Sequence, residues 1–412
     1  MREAEKAWLY ALPLIEMAAA RVRMLDTTHP GLHSGLNRFV HNRELVGPAD
    51  REITTPNNDT LYSSAWIDLT DGPVTLTLPD PGARYVSIAV MDMYTNNSVI
   101  LGARTPSGPA GVYRLVGPDE VELGENDLKV GTPHAWVLAR ILVAGDADLP
   151  DARAFQADLE LSGPAAAPPK GHATRDDAWP EFFRSAADLL GADPPGSIVG
   201  LEAFERIRAA GRGGNFDPAG YSGDDLVSIE AGVARARTMV SGGTNNLRFV
   251  EGWSYPLPDL GQFGDSYRFR AAVAVQGLGA LEVAEAMYMR AQSEEGSWAF
   301  NGDGLYCLSL AKPVPIDGFW SLTMYEATDD GQFFLTENRI GRYAIGDRTP
   351  GLVRNADGGV DIWIGREDPG GEKTANWLPA PRSGPFALFM RAYLPKPEML
   401  DGTYRLPPIR PV

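Results

Sequence analysis

One cysteine in 412 residues leaves no disulfide and no thiolate metal cluster to build on. Cys307 stands in a strand-like run at 305–310 and is expected as a small buried hydrophobe. A nucleophilic role is set aside because no histidine lies near it in sequence. Long apolar runs are missing as well: no stretch reaches the roughly 18 consecutive apolar residues of a membrane span. Positive charge is scarce, with 37 basic residues against 54 acidic ones and a formal net charge of -17. So negative a surface repels phosphate backbones and anionic lipid, which argues against nucleic acid and membrane partners. Residues 1–23 contain Glu3, Glu5 and Glu16 and no apolar core before a cleavage site. As written the chain is therefore expected in the cytoplasm, although a trimmed leader would look the same.

Catalytic signatures are equally thin. The chain has no P-loop, no Gly-x-Ser-x-Gly elbow and no His-Glu-x-x-His. Gly277-Leu278-Gly279 lacks a third glycine and follows no strand, which argues against dinucleotide binding; the glycines are expected to permit close helix packing. The five histidines (His29, His33, His41, His134 and His172) share no spacing that puts two on one face, so zinc or iron is disfavoured. No organic cofactor is expected. A divalent ion on oxygen ligands, with Asp59 or Asp92 contributing, stays open because such sites leave little trace in sequence.

What the chain does contain is a globular composition, 44% hydrophobic and 22% charged, in a length that suggests about two to three domains. Apolar residues from Ala7 to Val22 recur at helical spacing, with Pro13 expected to kink or interrupt the helix. Residues 25–50 lose all periodicity and predict a long ordered loop. The period then becomes two: strands are expected at 61–69, 74–78, 84–91, 112–116 and 135–143, separated by Gly, Pro and Asp turn formers. After an Ala/Pro linker at 163–169, helices are expected at 179–190, 198–210, 224–240 (with Ser222 as N-cap) and 267–292. Strands return at 305–310, 319–325, 342–345, 360–364 and 386–393. The expected architecture is α+β. An N-terminal helix and loop (1–50) and a helical segment (163–300) accompany two antiparallel, sandwich or jelly-roll-like β domains (51–162 and 301–412).

Polar and aromatic residues gather at strand ends. Pro56-Asn57-Asn58-Asp59-Thr60-Leu61-Tyr62-Ser63 leads a loop into a strand, on which Tyr62, Ser64 and Trp66 share a face. Turn and pocket readings of this run stand level. Asp92-Met93-Tyr94-Thr95-Asn96 ends an apolar strand, with Arg104 following; the group suits carboxylate binding or acid–base work, and equally a structural Arg–Asp pair. Phe319 to Tyr325 alternates, placing Phe319, Ser321, Thr323 and Tyr325 opposite Trp320, Leu322 and Met324. Asn376-Trp377-Leu378-Pro379-Ala380-Pro381 is a proline-clamped segment whose Trp either plugs a sheet end or contacts a ligand.

Taken together, and with Ile345-Gly346-Asp347-Arg348-Thr349, these segments resemble the bacterial tandem proteins that pair two domains of unknown function. The resemblance spans nearly the whole chain and implies two β-sandwich-like domains around a helical segment, with no shared chemistry to carry over. Many relatives have a secretion signal that this chain lacks, and Phe263 stands where such proteins have tyrosine.

Strand-end chemistry without cofactor motifs points to an enzyme acting on a small, partly apolar organic molecule by acid–base chemistry, of hydrolase or lyase type. The expected catalytic groups are Asp59 as base or ion ligand, Tyr62 and Tyr94 as proton donors, and Asp92. Arg104 is the expected anion anchor, Asn57, Asn58 and Asn376 orient the ligand, and Trp66, Trp320, Tyr325 and Trp377 wall it in. A non-catalytic binding protein and a structural or assembly protein are the alternatives, and a homo-oligomer stays open.

Overall fold

Strict alternation is the clearest local determinant of the first sheets. In Val74–Leu78 buried and half-buried positions alternate, so one side of the strand is apolar and the other wet. The computed structural model describes residues 2–52, 54–106, 108–241 and 247–412. In its first unit, one sheet runs in the order Gly35–Leu36, Thr60–Asp68, His134–Leu142, Val86–Asp92, Asn97–Gly102, with Val40–Asn42 also paired to Thr60–Asp68. A second sheet, Glu160–Ser162, Val74–Leu78, Gly111–Val116 and Asp127–Lys129, faces it across Leu61, Ala65, Leu76, Ile88, Val137 and Ile141.

The second unit repeats the plan. Ala286–Arg290, Phe386–Tyr393, Trp320–Ala327 and Phe333–Phe334 form one sheet, with Ala344–Gly346 on the edge of Trp320–Ala327. Trp377–Pro379, Val360–Gly365, Tyr306–Leu310 and Arg410–Pro411 form the other. Between them lie Met289, Leu308, Leu322, Ile362, Leu388 and Met390. The long ladders are antiparallel as expected. Three short edge strands pair parallel instead: Gly35–Leu36, Asp127–Lys129 and Trp377–Pro379.

The N-terminal helix, Arg2–Leu25, runs unbroken through Pro13, contrary to the expected interruption. Nearly every residue from Ala7 to Ile15 is fully buried, because helices Trp179–Ala192, Leu201–Ala210, Gly223–Ser241 and Tyr267–Gln276 surround it. That burial, at about 1.5–3 kcal/mol per large side chain, outweighs the roughly 3 kcal/mol penalty of a mid-helix proline. Ser222 caps Gly223–Ser241 as expected: its hydroxyl accepts from Asp225 N–H at 3.2 Å and donates to the Asp225 carboxylate at 2.6 Å. The loop at 25–50 contains two short strands that the absence of periodicity concealed.

The expected helix over 267–292 stops at Gln276. Gly277 N–H closes the last turn on the Val273 carbonyl at 2.8 Å, and Gly279 turns the chain with φ +87°, a conformation that favours glycine. A Cβ at Gly279 would lie 3.0 Å from the Trp136 ring. The glycines thus end a helix rather than pack one. Beyond them Ala286–Arg290 is a strand, registered from Ala286 opposite Tyr393 to Arg290 opposite Phe389.

Candidate functional site

On the Thr60–Asp68, His134–Leu142 and Val86–Asp92 strands, one face looks away from the inter-sheet core. Its register brings Tyr62 beside Arg140 and Arg140 beside Ser87. Farther along, the same face carries Trp66, Trp136, Leu138 and Met91, which pack under the helices. The helices therefore cover one end of this face and leave the Tyr62 end to the second unit.

The matching face of the second unit carries Tyr288, Arg391 and Ser321 side by side in register, with Thr323, Tyr325 and Tyr393 adjoining. The two faces meet at an aromatic seam. Tyr393 stacks on Phe319 with centroids 4.1 Å apart, and Tyr85 approaches Tyr393 edge-on at 5.1 Å. The 54–59 loop is tied into the same seam. Its Asn57 donates from Nδ2 to the Tyr393 hydroxyl at 2.8 Å, while Asn57 Oδ1 accepts from Asp59 N–H at 2.7 Å. Tyr325 donates to the Pro56 carbonyl at 2.6 Å.

Arg391 organises this wall. Nη1 donates to Thr323 Oγ1 at 2.8 Å; Nη2 donates to the Tyr325 hydroxyl at 2.7 Å and to the Thr55 carbonyl at 3.0 Å. Ser321 donates to Asp59 Oδ2 at 2.6 Å. Burial pushes the Asp59 carboxyl above its ordinary range, opposed by Arg391 and the Ser321 hydrogen bond. Burial likewise raises the Tyr62 and Tyr393 phenols, and holds Tyr325 up at about 12 against the pull of Arg391. Asp59 and Tyr62 are surrounded by protein yet keep accessible surface, as Asn58 and Tyr288 do. These four half-buried side chains mark a cleft at the seam, whose other members, among them Tyr325 and Tyr393, are buried.

Arg140, on the facing wall, is satisfied far less well. It is 5% exposed, and Nη2 donates to the Gly279 carbonyl at 2.6 Å. Nε and Nη1 have no partner among the described residues, and neither does Asn58 Oδ1, while the Thr60 and Ser87 hydroxyls neighbour the Tyr62 and Tyr85 phenols. Its guanidinium lies 5.9 Å from the Tyr62 ring centre. Burial opposes its charge, and the surrounding phenols Tyr288, Tyr62, Tyr85 and Tyr393 favour it.

The structure thus brings together Asn57, Asn58, Asp59, Tyr62 and Tyr325 of the expected site, and places the others elsewhere. Asp92 lies eight register steps from the Asp59 end of the sheet, about 25 Å at strand rise. Its carboxylate accepts from Tyr94 N–H at 2.8 Å and Asn96 N–H at 2.9 Å, closing a turn in which Thr95 has φ +65°. Tyr94 donates to the Asp193 carbonyl at 2.8 Å inside the helical core. Trp66 is fully buried, stacked on Trp136 at 6.0 Å. Arg104 is no free anchor: Nε pairs with Glu285 at 2.6 Å and Nη2 with Glu282 at 3.3 Å.

The second signature is also internal to its own unit. Trp320 points into the core between the two sheets, on the face opposite Tyr325. Asn376 accepts from Val353 N–H at 2.8 Å and donates to the Val353 and Asp361 carbonyls at 2.7 and 3.0 Å. Trp377 donates to the Gly365 carbonyl at 2.8 Å and is 2% exposed. Asn376 ends the turn that leads into the outer-sheet strand Trp377–Pro379, a full layer from the seam, so the Asn57 and Asn376 signatures share no cavity. Cys307 is half-buried rather than buried, 3.5 Å from Ser309 Oγ, and burial pushes its thiol up.

Four cleft residues escaped the sequence reading: Arg140, Tyr288, Arg391 and Tyr393. The signal for the arginines was present, since each is the only charged residue inside an otherwise apolar strand. Among the described residues no three His, Cys, Asp or Glu side chains converge as a metal site, and no helix is long and apolar enough to cross a membrane.

Two family profiles match the chain. Residues 36–163 match "Protein of unknown function (DUF1254)" and residues 285–397 match "Protein of unknown function (DUF1214)". Among curated proteins there is no match. A crystal structure of a Vibrio parahaemolyticus protein is similar, with a TM-score of 0.75 at 20% identity, over 100% of this chain and 99% of that one. An uncharacterized Burkholderia cenocepacia protein gives 0.48 at 14% identity, over 98% of this chain and 87% of that one. The chain belongs to the family that carries these two domains of unknown function in tandem.

Proposed function

We propose that this tandem-domain protein is an enzyme that binds a small, partly apolar organic molecule between its two units and transforms it by acid–base chemistry without an organic cofactor. Each unit is read as a β-sandwich of jelly-roll-like kind, and the active centre as the seam where the two sandwiches meet. One observation carries the reading. Asp59, with its proton affinity raised by burial, keeps accessible surface at the seam between the two units, where Ser321 donates to its Oδ2 and the charge of Arg391 acts on it. Perturbed titrating groups gathered in an enclosed cleft are the physical mark of a catalytic centre.

Asp59 is the proton-transfer group in this reading: its raised affinity brings it closer to working pH, where a carboxyl both gives and takes a proton efficiently. Tyr62 supplies a second hydroxyl on the facing wall and stays protonated, because burial opposes its ionisation. Tyr62 and Tyr288, which keep accessible surface, provide ring surface for the apolar part of the ligand. A single general acid–base group contributes about 10²–10⁴-fold to rate.

The test is a metabolite-consumption assay. Wild-type protein and Asp59→Asn are incubated with a small-molecule extract and followed by mass spectrometry. Wild type should deplete a compound and Asp59→Asn should deplete it at least about a hundredfold more slowly. Equal depletion by both proteins, or a compound retained but recovered unchanged from wild type, refutes catalysis at Asp59.

A further inference from the structure

We infer that the cleft takes a small organic monocarboxylate, with the guanidinium of Arg140 as its anion anchor; this rests on the cleft being the working site proposed above. Arg140 is buried, cannot shed its proton, and forms no ion pair among the described residues. A buried charge of that kind is normally paired. Among the described residues its one hydrogen bond is to the Gly279 carbonyl, which leaves Nε and Nη1 without acceptors there. An incoming carboxylate satisfies them with charge-assisted hydrogen bonds and supplies the missing counter-charge together.

The surroundings favour one negative charge and a carbon skeleton. Arg391, the other cation at this seam, already has the favourable charge of Asp59 acting on it and four hydrogen bonds of its own. That leaves one uncompensated cation for the ligand. Tyr62, whose ring centre lies 5.9 Å from the guanidinium, and Tyr288 keep accessible surface that suits an apolar or aromatic body. A phosphate dianion would bring twice the charge to a single free guanidinium, beside Asp59, in a protein of net charge -17. Asn58 Oδ1 is a further polar atom without a partner among the described residues and can accept from a ligand hydroxyl.

The experiment is calorimetric titration of the full chain at fixed ionic strength with benzoate, benzamide and inorganic phosphate. The proteins are wild type, Arg140→Met and Arg140→Lys. Benzoate should bind wild type at least about tenfold more tightly than benzamide, which has the same shape and no charge. Arg140→Met should lose that preference, and Arg140→Lys should keep part of it because the charge survives without the planar fork. If Arg140→Met does not fold, Arg140→Lys alone must weaken benzoate and leave benzamide unchanged. Equal binding of benzoate and benzamide refutes the anion anchor while leaving the catalytic reading of the cleft intact. Benzoate binding that ignores Arg140 refutes it too, as does phosphate binding more tightly than benzoate. Binding of no probe also overturns it, and the Asp59→Asn assay then decides the catalytic reading on its own.

Discussion

Arg391 and Arg140 occupy comparable positions in the two units and live in opposite conditions. Each stands on an interior strand of its sheet and points at the opposing unit. Arg391 makes four hydrogen bonds, to a threonine, a tyrosine and the Thr55 and Pro56 carbonyls, and the charge of Asp59 favours it. Arg140 makes one hydrogen bond and faces phenols. The same side chain is therefore scaffold on one wall and an unmet demand on the other. Arg391, with only Nε left without a partner among the described residues, fastens the 54–59 loop to the second unit. Arg140, left short of acceptors, is held in place by its neighbours, a form of preorganisation that a ligand can exploit.

The contrast breaks most directly at Arg391. Arg391→Met should cost about 3–5 kcal/mol, because it strands Asp59 without its cation and frees the loop carbonyl at Thr55. Urea unfolding followed by tryptophan fluorescence measures this as a large drop in the midpoint. Arg140→Met should change stability by less than about 1 kcal/mol in either direction. It removes a charge that has no partner and leaves only the Gly279 carbonyl unmatched. Equal losses in the two variants would mean that Arg140 has a structural partner after all, and the distinction between the walls would collapse.

Much of the fold was legible because alternation is a direct consequence of a strand having one apolar face. Val74–Leu78 and Phe386–Tyr393 have the expected limits to the residue, and Ser321, Thr323 and Tyr325 do share a face opposite Trp320 and Leu322. The cleft was half legible. The loop at Asn57 to Asp59 advertised itself by its run of polar side chains. The Asn376–Pro381 segment advertised itself equally and proved to be a satisfied structural knot, since hydrogen-bonding capacity in sequence does not say whether it is already spent. Arg104 failed for the same reason, its charge matched by Glu285 and Glu282 nearly 180 residues away. Gly277 and Gly279 were read as helix packing because apolar spacing continued past them, whereas the left-handed turn at Gly279 depends on the Trp136 ring it abuts. What sequence withheld was which faces meet. An arginine alone in an apolar strand was the readable clue to that, and it occurs in both units.

Asp59 supplies the smallest and most discriminating effect, because it sets burial against its pairing with Arg391. Its proton affinity is higher in the folded chain than in the unfolded one, where an aspartate titrates near about 4. Between that value and its raised native value the unfolded chain binds fewer protons, so stability falls as pH rises through the window. Asp59→Asn cannot ionise and escapes this loss. Well below about pH 4 the carboxyl is protonated in both states and the two proteins should unfold at similar urea concentrations. As the pH is raised towards 7 the difference should move steadily in favour of Asp59→Asn. A difference that stays flat, or that moves towards wild type, would mean that Arg391 outweighs burial. Asp59 would then be an ordinary ion-pair carboxylate, both arginine walls would be structural, and the contrast between them would lose its functional meaning.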